Sequence, residues 1–125
     1  MKQISESEML HRAAAYCSAS ERCIQDVEKK IKAAGLAGEE SDRIVSRLLQ
    51  ERFIDESRFA RYFVNDKLRF NKWGRVKINY EMQRKGIPSS IRSEALEGID
   101  EQEYRSILLS LLKSKKKVTR GKDDR

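Results

Sequence analysis

Apolar residues recur along the chain at intervals of three and four positions, the period of one face of an α-helix. Long alternations of apolar and polar residues, which are typical of half-buried strands, are absent. The pattern predicts an all-α fold with helices over residues 5–17, 20–34, 39–52, 55–71, 74–85, 88–97 and 100–116. The core candidates on these helices include Ile24, Val27, Ile31, Ile44, Val45, Leu48, Leu49, Phe59, Tyr62, Phe63, Ile107, Leu108, Leu111 and Leu112.

One short pattern occurs three times: ISESEM at 4–9, IDESRF at 54–59 and IDEQEY at 99–104. In each, Ile precedes Ser or Asp, whose side-chain oxygen can accept from the free amides of a helical first turn. The Glu that follows favours the positive end of the helix dipole. Ser5, Asp55 and Asp100 are therefore predicted to cap helices that begin 50 and 45 residues apart, a spacing found in helical repeats.

A second pattern marks helix ends in KKIKAAGLA (29–37) and YEMQRKGIP (80–88). Each has an apolar residue four positions before Gly and another directly after it, as in a Schellman stop with Gly in the left-handed conformation. Pro88 then suits the start of the next helix, because its fixed φ and missing amide are harmless in a first turn.

Together these patterns predict tandem three-helix repeats at 1–53 and 54–98. Residues 99–125 would hold the first helix of an incomplete third repeat and a basic tail, either mobile or a continuation of that helix. Since units of this size cannot bury an apolar face alone, they should pack in series as an elongated or curved array.

Composition argues against a membrane protein, a secreted protein and a zinc or disulfide site. Apolar residues make up 38% of 125 residues, and no apolar run approaches the roughly 18 residues of a membrane span. The N-terminus lacks the apolar stretch of a secretory signal, so a cytoplasmic location is expected. Cys17 and Cys23 are expected to be buried free thiols, since one His and two Cys match no zinc or disulfide spacing.

Enzyme signatures are equally sparse: no glycine-rich phosphate loop and no nucleophile beside a plausible base is found. Asp55 and Glu56 could form a carboxylate pair, but the repeated pattern favours helix capping. We expect no catalytic residue, no metal and no cofactor.

Charge is the strongest functional signal. The net charge of +7 is divided as 0 over residues 1–53, +3 over 54–100 and +4 over 101–125. Residues 67–92 carry eight cations and a single anion, Glu81, which favours a polyanion or an acidic protein surface as partner. The alternative is an ordinary solvated helix face. The candidate contacts are Lys67, Arg69, Lys72, Trp73, Arg75, Lys77, Arg84 and Lys85.

Trp73 has two interpretations. Its ring could stack on a base or insert into a protein pocket, or it could pack over the junction of two helices. Phe70 and Tyr62 flank the same region, but their spacing fits the helix core at least as well.

Four elements of the sequence carry a family resemblance: DESRFARYFV (55–64), Gly74 with Ile78, EMQRKGIP (81–88) and EAL (94–96). Through them the chain resembles the RecX family of bacterial regulatory proteins, which act on the RecA recombinase. A weaker match covers residues 13–35, and Phe63 and Met82 stand where the family usually has Tyr and Leu, both mild core exchanges.

The resemblance implies tandem three-helix repeats that bind the RecA filament on single-stranded DNA, lie along its groove and restrain recombinase and co-protease activity. It also implies some affinity for DNA, and a third repeat that is normally complete. We expect a monomeric, non-enzymatic regulator. The rival hypothesis is a helical DNA-binding module, on single- or double-stranded DNA, that acts through non-specific phosphate contacts.

Overall fold

A computed structural model describes the backbone of residues 4–121 and the side chains of residues 4–113. Within that range the prediction of an all-α fold is confirmed, and no helix is long and apolar enough to cross a membrane. The helices are α1 (Glu6–Ala19), α2 (Ile24–Ala33), α3 (Gly38–Gln50), α4 (Glu56–Arg69), α5 (Arg75–Arg84), α6 (Ser89–Glu97) and α7 (Glu101–Gly121).

The repeated sequence pattern is a repeat of helix caps. The side chains of Ser5 and Asp55 accept from amides three residues on, at 3.1 and 3.0 Å, and Asp100 does the same at 3.0 Å. The amide of Arg58 thereby holds the pKa of Asp55 below its ordinary value. Capping, rather than a carboxylate pair, is the role of this residue, because the Glu56 carboxylate accepts from the Ile24 amide instead.

Both predicted Schellman stops are present. Gly35 and Gly86 have φ of 95° and 81°, and the amides of Leu36 and Ile87 donate to carbonyls five residues back, at 3.3 and 3.1 Å. The two apolar residues of each stop are buried together. A local pattern therefore fixes where α2 and α5 end.

Each helix differs from its predicted bounds by at least one residue, and three of the differences concern the start of α2, the start of α6 and the end of α7. α2 begins at Ile24 rather than at residue 20, because the chain is extended at Cys23, whose amide donates to the Asp26 carboxylate. Pro88 is the N-cap of α6 rather than its first residue, since its ψ of 151° is extended. α7 continues to Gly121, beyond the predicted end at 116, and residues 122–125 of the tail lie outside the described range.

Two apolar cores follow one another along the chain. The first is built from α1–α3 around Met9, Ile31 and Leu48, and the second from α4–α6 around Phe59 and Met82. α7 packs on α4 at the edge of the second core.

Three predicted core residues are wrong: Leu49, Tyr62 and Leu112 are 40%, 45% and 60% exposed. Leu49 and Tyr62 lie one position, about 100° of helix rotation, from the buried Leu48 and Phe63. Leu112 lies on α7, which only α4 covers extensively among the helices described.

The two units contact each other through residues 21–26, which include the end of the α1–α2 connection and the first turn of α2. Cys23 belongs by sequence to the first unit but is buried in the core of the second. Polar contacts surround it: Arg58 donates to Glu21 at 2.7 Å, Lys85 to Asp26 at 3.0 Å, and Gln25 to the Arg84 carbonyl at 3.2 Å.

Burial affects the ionisable groups at this joint. It raises the pKa of Cys23 to about 11, and it also raises the pKa of Cys17, so the expectation of buried free thiols is confirmed. Burial works against ionisation of Asp26 too, but the hydrogen bond and charge of Lys85 outweigh it and lower the pKa of Asp26. Burial raises the pKa of Glu56, although the Ile24 amide donates to its carboxylate.

Replacing Gly86 by Ala is expected to lower the free energy of unfolding by about 1–2 kcal/mol. A Cβ there would meet only the Gln25 amide, at 3.8 Å, so the cost comes from the positive φ rather than from a clash. Gly98 is the matched control because its φ of −77° suits any residue. Gly98→Ala should leave stability equal or slightly higher in urea unfolding, and equal losses for both variants would contradict the left-handed stop.

Candidate partner-binding surface

The candidate contacts fall into two groups along α4 and α5. Six of them surround the junction of these helices: Lys67, Arg69, Lys72, Trp73, Arg75 and Lys77. Arg84 and Lys85 lie at the far end of α5, about 15 Å away along a helix of ten residues. The fold therefore brings most, but not all, of the predicted residues to one place.

Trp73 lies at the edge of the second core. Its ring meets the Phe63 ring edge-on, with the centroids 6.4 Å apart, and its amide donates to the Lys67 carbonyl at 3.1 Å. The ammonium groups of Lys67 and Lys77 are 5.3 and 4.5 Å from the ring centroid. The half-buried ring therefore packs over the junction of the two helices, which is the second of the two interpretations given above. It also positions the ammonium groups of the two lysines.

Acids outside residues 67–92, which the count of charges within that segment did not include, neutralise several of its cations. Arg69 makes a two-pronged ion pair with Glu103 at 2.9 and 3.3 Å, Arg75 pairs with Glu101, and Lys85 pairs with Asp26. Weaker contacts at 3.6 and 3.7 Å link Arg84 to Glu81 and Lys67 to Asp66. Acids from α2 and α7 are distant in sequence, so a local count of charges could not include them.

Arg75 is part of the attachment of α7. Its backbone amide donates to the Tyr104 hydroxyl at 3.1 Å, and its guanidinium lies 4.1 Å from the centroid of the Tyr104 ring. A Cβ on Gly74 would come within 3.5 Å of the same hydroxyl. Arg69 and Arg75 therefore hold α7 against the α4–α5 junction.

Lys72 and Lys77 are exposed and form no ion pair among the side chains described at 4–113. Lys72 occupies the connection with φ of 58°, which directs the chain into α5. The first turn of α5 contains no acidic residue, and Gly74 supplies no side-chain cap. The helix dipole adds to the positive charge of the two lysines here.

Three exposed apolar residues lie near this junction, and two of them, Val76 and Tyr80, were not among the candidates from the sequence. Phe70 is 80% exposed, which corrects its assignment to the core, because it is the C-cap of α4. Val76 and Tyr80 are 85% and 56% exposed on α5. The exposure of Val76 and Tyr80 could have been predicted from the sequence, because neither lies on the helix face of Ile78 and Met82, which is buried in the core.

Comparisons with known proteins agree with this fold. Residues 55–96 match a family model described as RecX, second three-helix domain. The regulatory protein RecX of Prosthecochloris aestuarii is 33% identical over 91 residues, which cover 73% of this chain and 60% of the relative. That of Lactobacillus johnsonii is 27% identical over 103 residues, covering 82% and 38%.

Two solved structures share the fold. The crystal structure of RecX from Lactobacillus salivarius superposes with a TM-score of 0.78 at 19% identity, covering 96% of this chain and 76% of that one. A second crystal structure of regulatory protein RecX gives 0.74 at 22% identity, covering 82% and 50%. The chain spans 60% and 38% of the length of the two curated relatives above.

Proposed function

The chain belongs to the RecX family of regulatory proteins, and from this premise we propose that it binds RecA and its filament on single-stranded DNA. Binding would inhibit the recombinase, ATPase and co-protease activities of RecA. The observation that carries the proposal is the match of residues 55–96 to the second three-helix domain, which contains all eight candidate contacts. The protein would act in the cytoplasm as a monomer, without a cofactor and without catalysis of its own.

The proposed mechanism is occupation of the filament groove by units in series. We place their boundaries at 1–53, 54–98 and 99–125, the last holding the first helix of a third repeat and a basic tail. A protein that bridges neighbouring RecA subunits inhibits turnover if it binds one filament state more tightly than the others. The ion pairs at residues 21–26 support this, because they set how the first two units are joined.

The proposed contacts differ in what binding would require of them. Arg69 and Arg75 would first have to leave Glu103 and Glu101, which would weaken the attachment of α7. Lys72 and Lys77 carry no such cost. We propose that these two lysines supply the electrostatic attraction to an acidic filament surface.

The test is RecA ATPase on single-stranded DNA with increasing amounts of the chain. The wild type is expected to inhibit, and Lys72→Gln with Lys77→Gln to raise the half-inhibitory concentration about three- to tenfold, as expected for two exposed charges. Lys29→Gln with Lys32→Gln makes the same charge change on the exposed side of α2 and should inhibit like the wild type. Undiminished ATPase with the wild type would contradict the proposed function.

A DNA-binding module is the second candidate, and one observation favours it. The exposed ring of Phe70 lies two residues from Lys72, which forms no ion pair with a described side chain, and the two together can stack a base and hold a phosphate. Titration into labelled single-stranded DNA, with and without RecA, separates the two functions. Binding that RecA does not change, and that falls about 0.7 log unit per log unit of salt for each phosphate contacted, would favour the module.

A further inference from the structure

The outer face of α5, formed by Val76, Lys77, Tyr80 and Arg84, lies on the side of the helix away from the core. Ile78 and Met82 are completely buried on the opposite side. Val76 and Tyr80 are four residues apart and so lie next to each other on the helix surface. Large apolar groups exposed together in this way are a usual mark of an interaction site.

Positive charge borders this apolar pair. The Arg84 guanidinium lies 6.0 Å from the centroid of the Tyr80 ring, and its closest carboxylate contact is with Glu81 at 3.6 Å. Lys77 lies over the Trp73 ring and has no ion pair within the described side chains. The outer face of α5 thus has an apolar centre and a cationic rim.

This arrangement fits a protein better than a nucleic acid. A phosphate backbone is bound by cations at the centre of a site, but the two arginines nearest this helix start, Arg69 and Arg75, are engaged by α7. Val76 can neither stack on a base nor donate a hydrogen bond. An aromatic and aliphatic centre with charges at its edge is the usual anatomy of a protein–protein interface.

We propose that the outer face of α5 docks onto a protein surface made of an apolar pocket bordered by carboxylates. The complementarity is of charge as well as of polarity, because the rim of this face is positive. The inference rests on the proposed function, in which a RecA subunit of the filament carries that pocket. Val76 and Tyr80 supply the affinity, and Lys77 and Arg84 supply orientation and rate of encounter.

The test compares two double variants of the full chain in binding to RecA filaments on single-stranded DNA. Val76→Ser with Tyr80→Ser should weaken binding about tenfold or more, as expected for two central apolar contacts. Leu49→Ser with Tyr62→Ser is the matched control, since those residues are 40% and 45% exposed on α3 and α4. It should bind within about twofold of the wild type. Circular dichroism checks that both variants keep wild-type helicity.

Each outcome has a distinct meaning. Unchanged filament binding by the α5 variant overturns the inference while the proposed function stands. Equal loss of binding to single-stranded DNA without RecA assigns the face to nucleic acid and also overturns it. If the wild type is a dimer and the α5 variant is a monomer, the face serves self-association, and the inference is again overturned. Wild-type chain that fails to bind filaments overturns the proposed function itself.

Salt supplies an independent readout. If the centre of the face is apolar, Val76→Ser with Tyr80→Ser should lower affinity without changing the dependence of affinity on salt. Lys72→Gln with Lys77→Gln should reduce that dependence. Identical changes in salt dependence for the two variants would overturn the assignment of an apolar centre.

Discussion

Replacing Phe59 by Ala is expected to lower the free energy of unfolding by about 3–5 kcal/mol, the usual cost of deleting a buried aromatic ring. Phe59 is 3% exposed in the second core, and its ring stacks on that of Phe63 with the centroids 5.7 Å apart. Truncation removes this contact and leaves a cavity that α4–α6 cannot close without moving. Urea unfolding followed by circular dichroism measures the loss.

Phe70→Ala is the control, because it makes the same chemical change at the end of the same helix. Phe70 is largely solvent-exposed, so its truncation should change stability by less than about 0.5 kcal/mol. Comparable losses at the two positions would show that Phe59 does not lie at the centre of a packed core. A large loss at Phe70 alone would mean that its ring is covered in solution.

Replacing Tyr104 by Ala is expected to weaken the attachment of α7 by about 2–3 kcal/mol. The change removes a ring packed on the second core, the acceptor of the Arg75 amide and the aromatic face beneath the Arg75 guanidinium. Since α7 contacts mainly α4, it should detach without unfolding of α4–α6. Hydrogen exchange should therefore become faster in α7 than in those three helices.

Two further variants separate the contributions to this attachment. Tyr104→Phe keeps the ring but leaves the Arg75 amide without its acceptor, and should weaken the attachment by about 1–2 kcal/mol. Tyr62→Ala truncates an exposed tyrosine of α4 and should leave exchange in α7 unchanged. Wild-type protection of α7 in Tyr104→Ala would contradict its role in holding that helix.

The sequence predicts the fold well where the determinants are local. Ser5, Asp55 and Asp100 cap helices through amides three residues away, and Gly86 ends α5 in a stop whose amides donate to carbonyls three and five residues back. Such patterns require only neighbouring residues. The start of α2 was missed because Cys23 is held in an extended conformation partly by its burial in another unit, which no local pattern reports.

The candidate site was predicted less well for the same physical reason. Counting charges along the chain gave Arg69 and Arg75 as free cations, whereas Glu103 and Glu101 approach them from a helix about 30 residues further on. Exposure was misjudged where an apolar residue lies beside the core stripe, as at Tyr62, and where it follows the last helical residue, as at Phe70. Which residues are free to contact a partner therefore depends on tertiary contacts that the sequence patterns do not show.

The position of Cys23 limits where the molecule can be divided. A fragment beginning at Ile54 would contain α4–α7 but would lack the side chain that fills part of their core, and Glu56 and Lys85 would lose Ile24 and Asp26. A fragment cut at the boundary between the two sequence repeats would therefore have a cavity in its core. The smallest fragment that keeps the second core complete must therefore include residues 21–26. The unit that repeats in the sequence and the unit that folds cooperatively do not have the same boundaries.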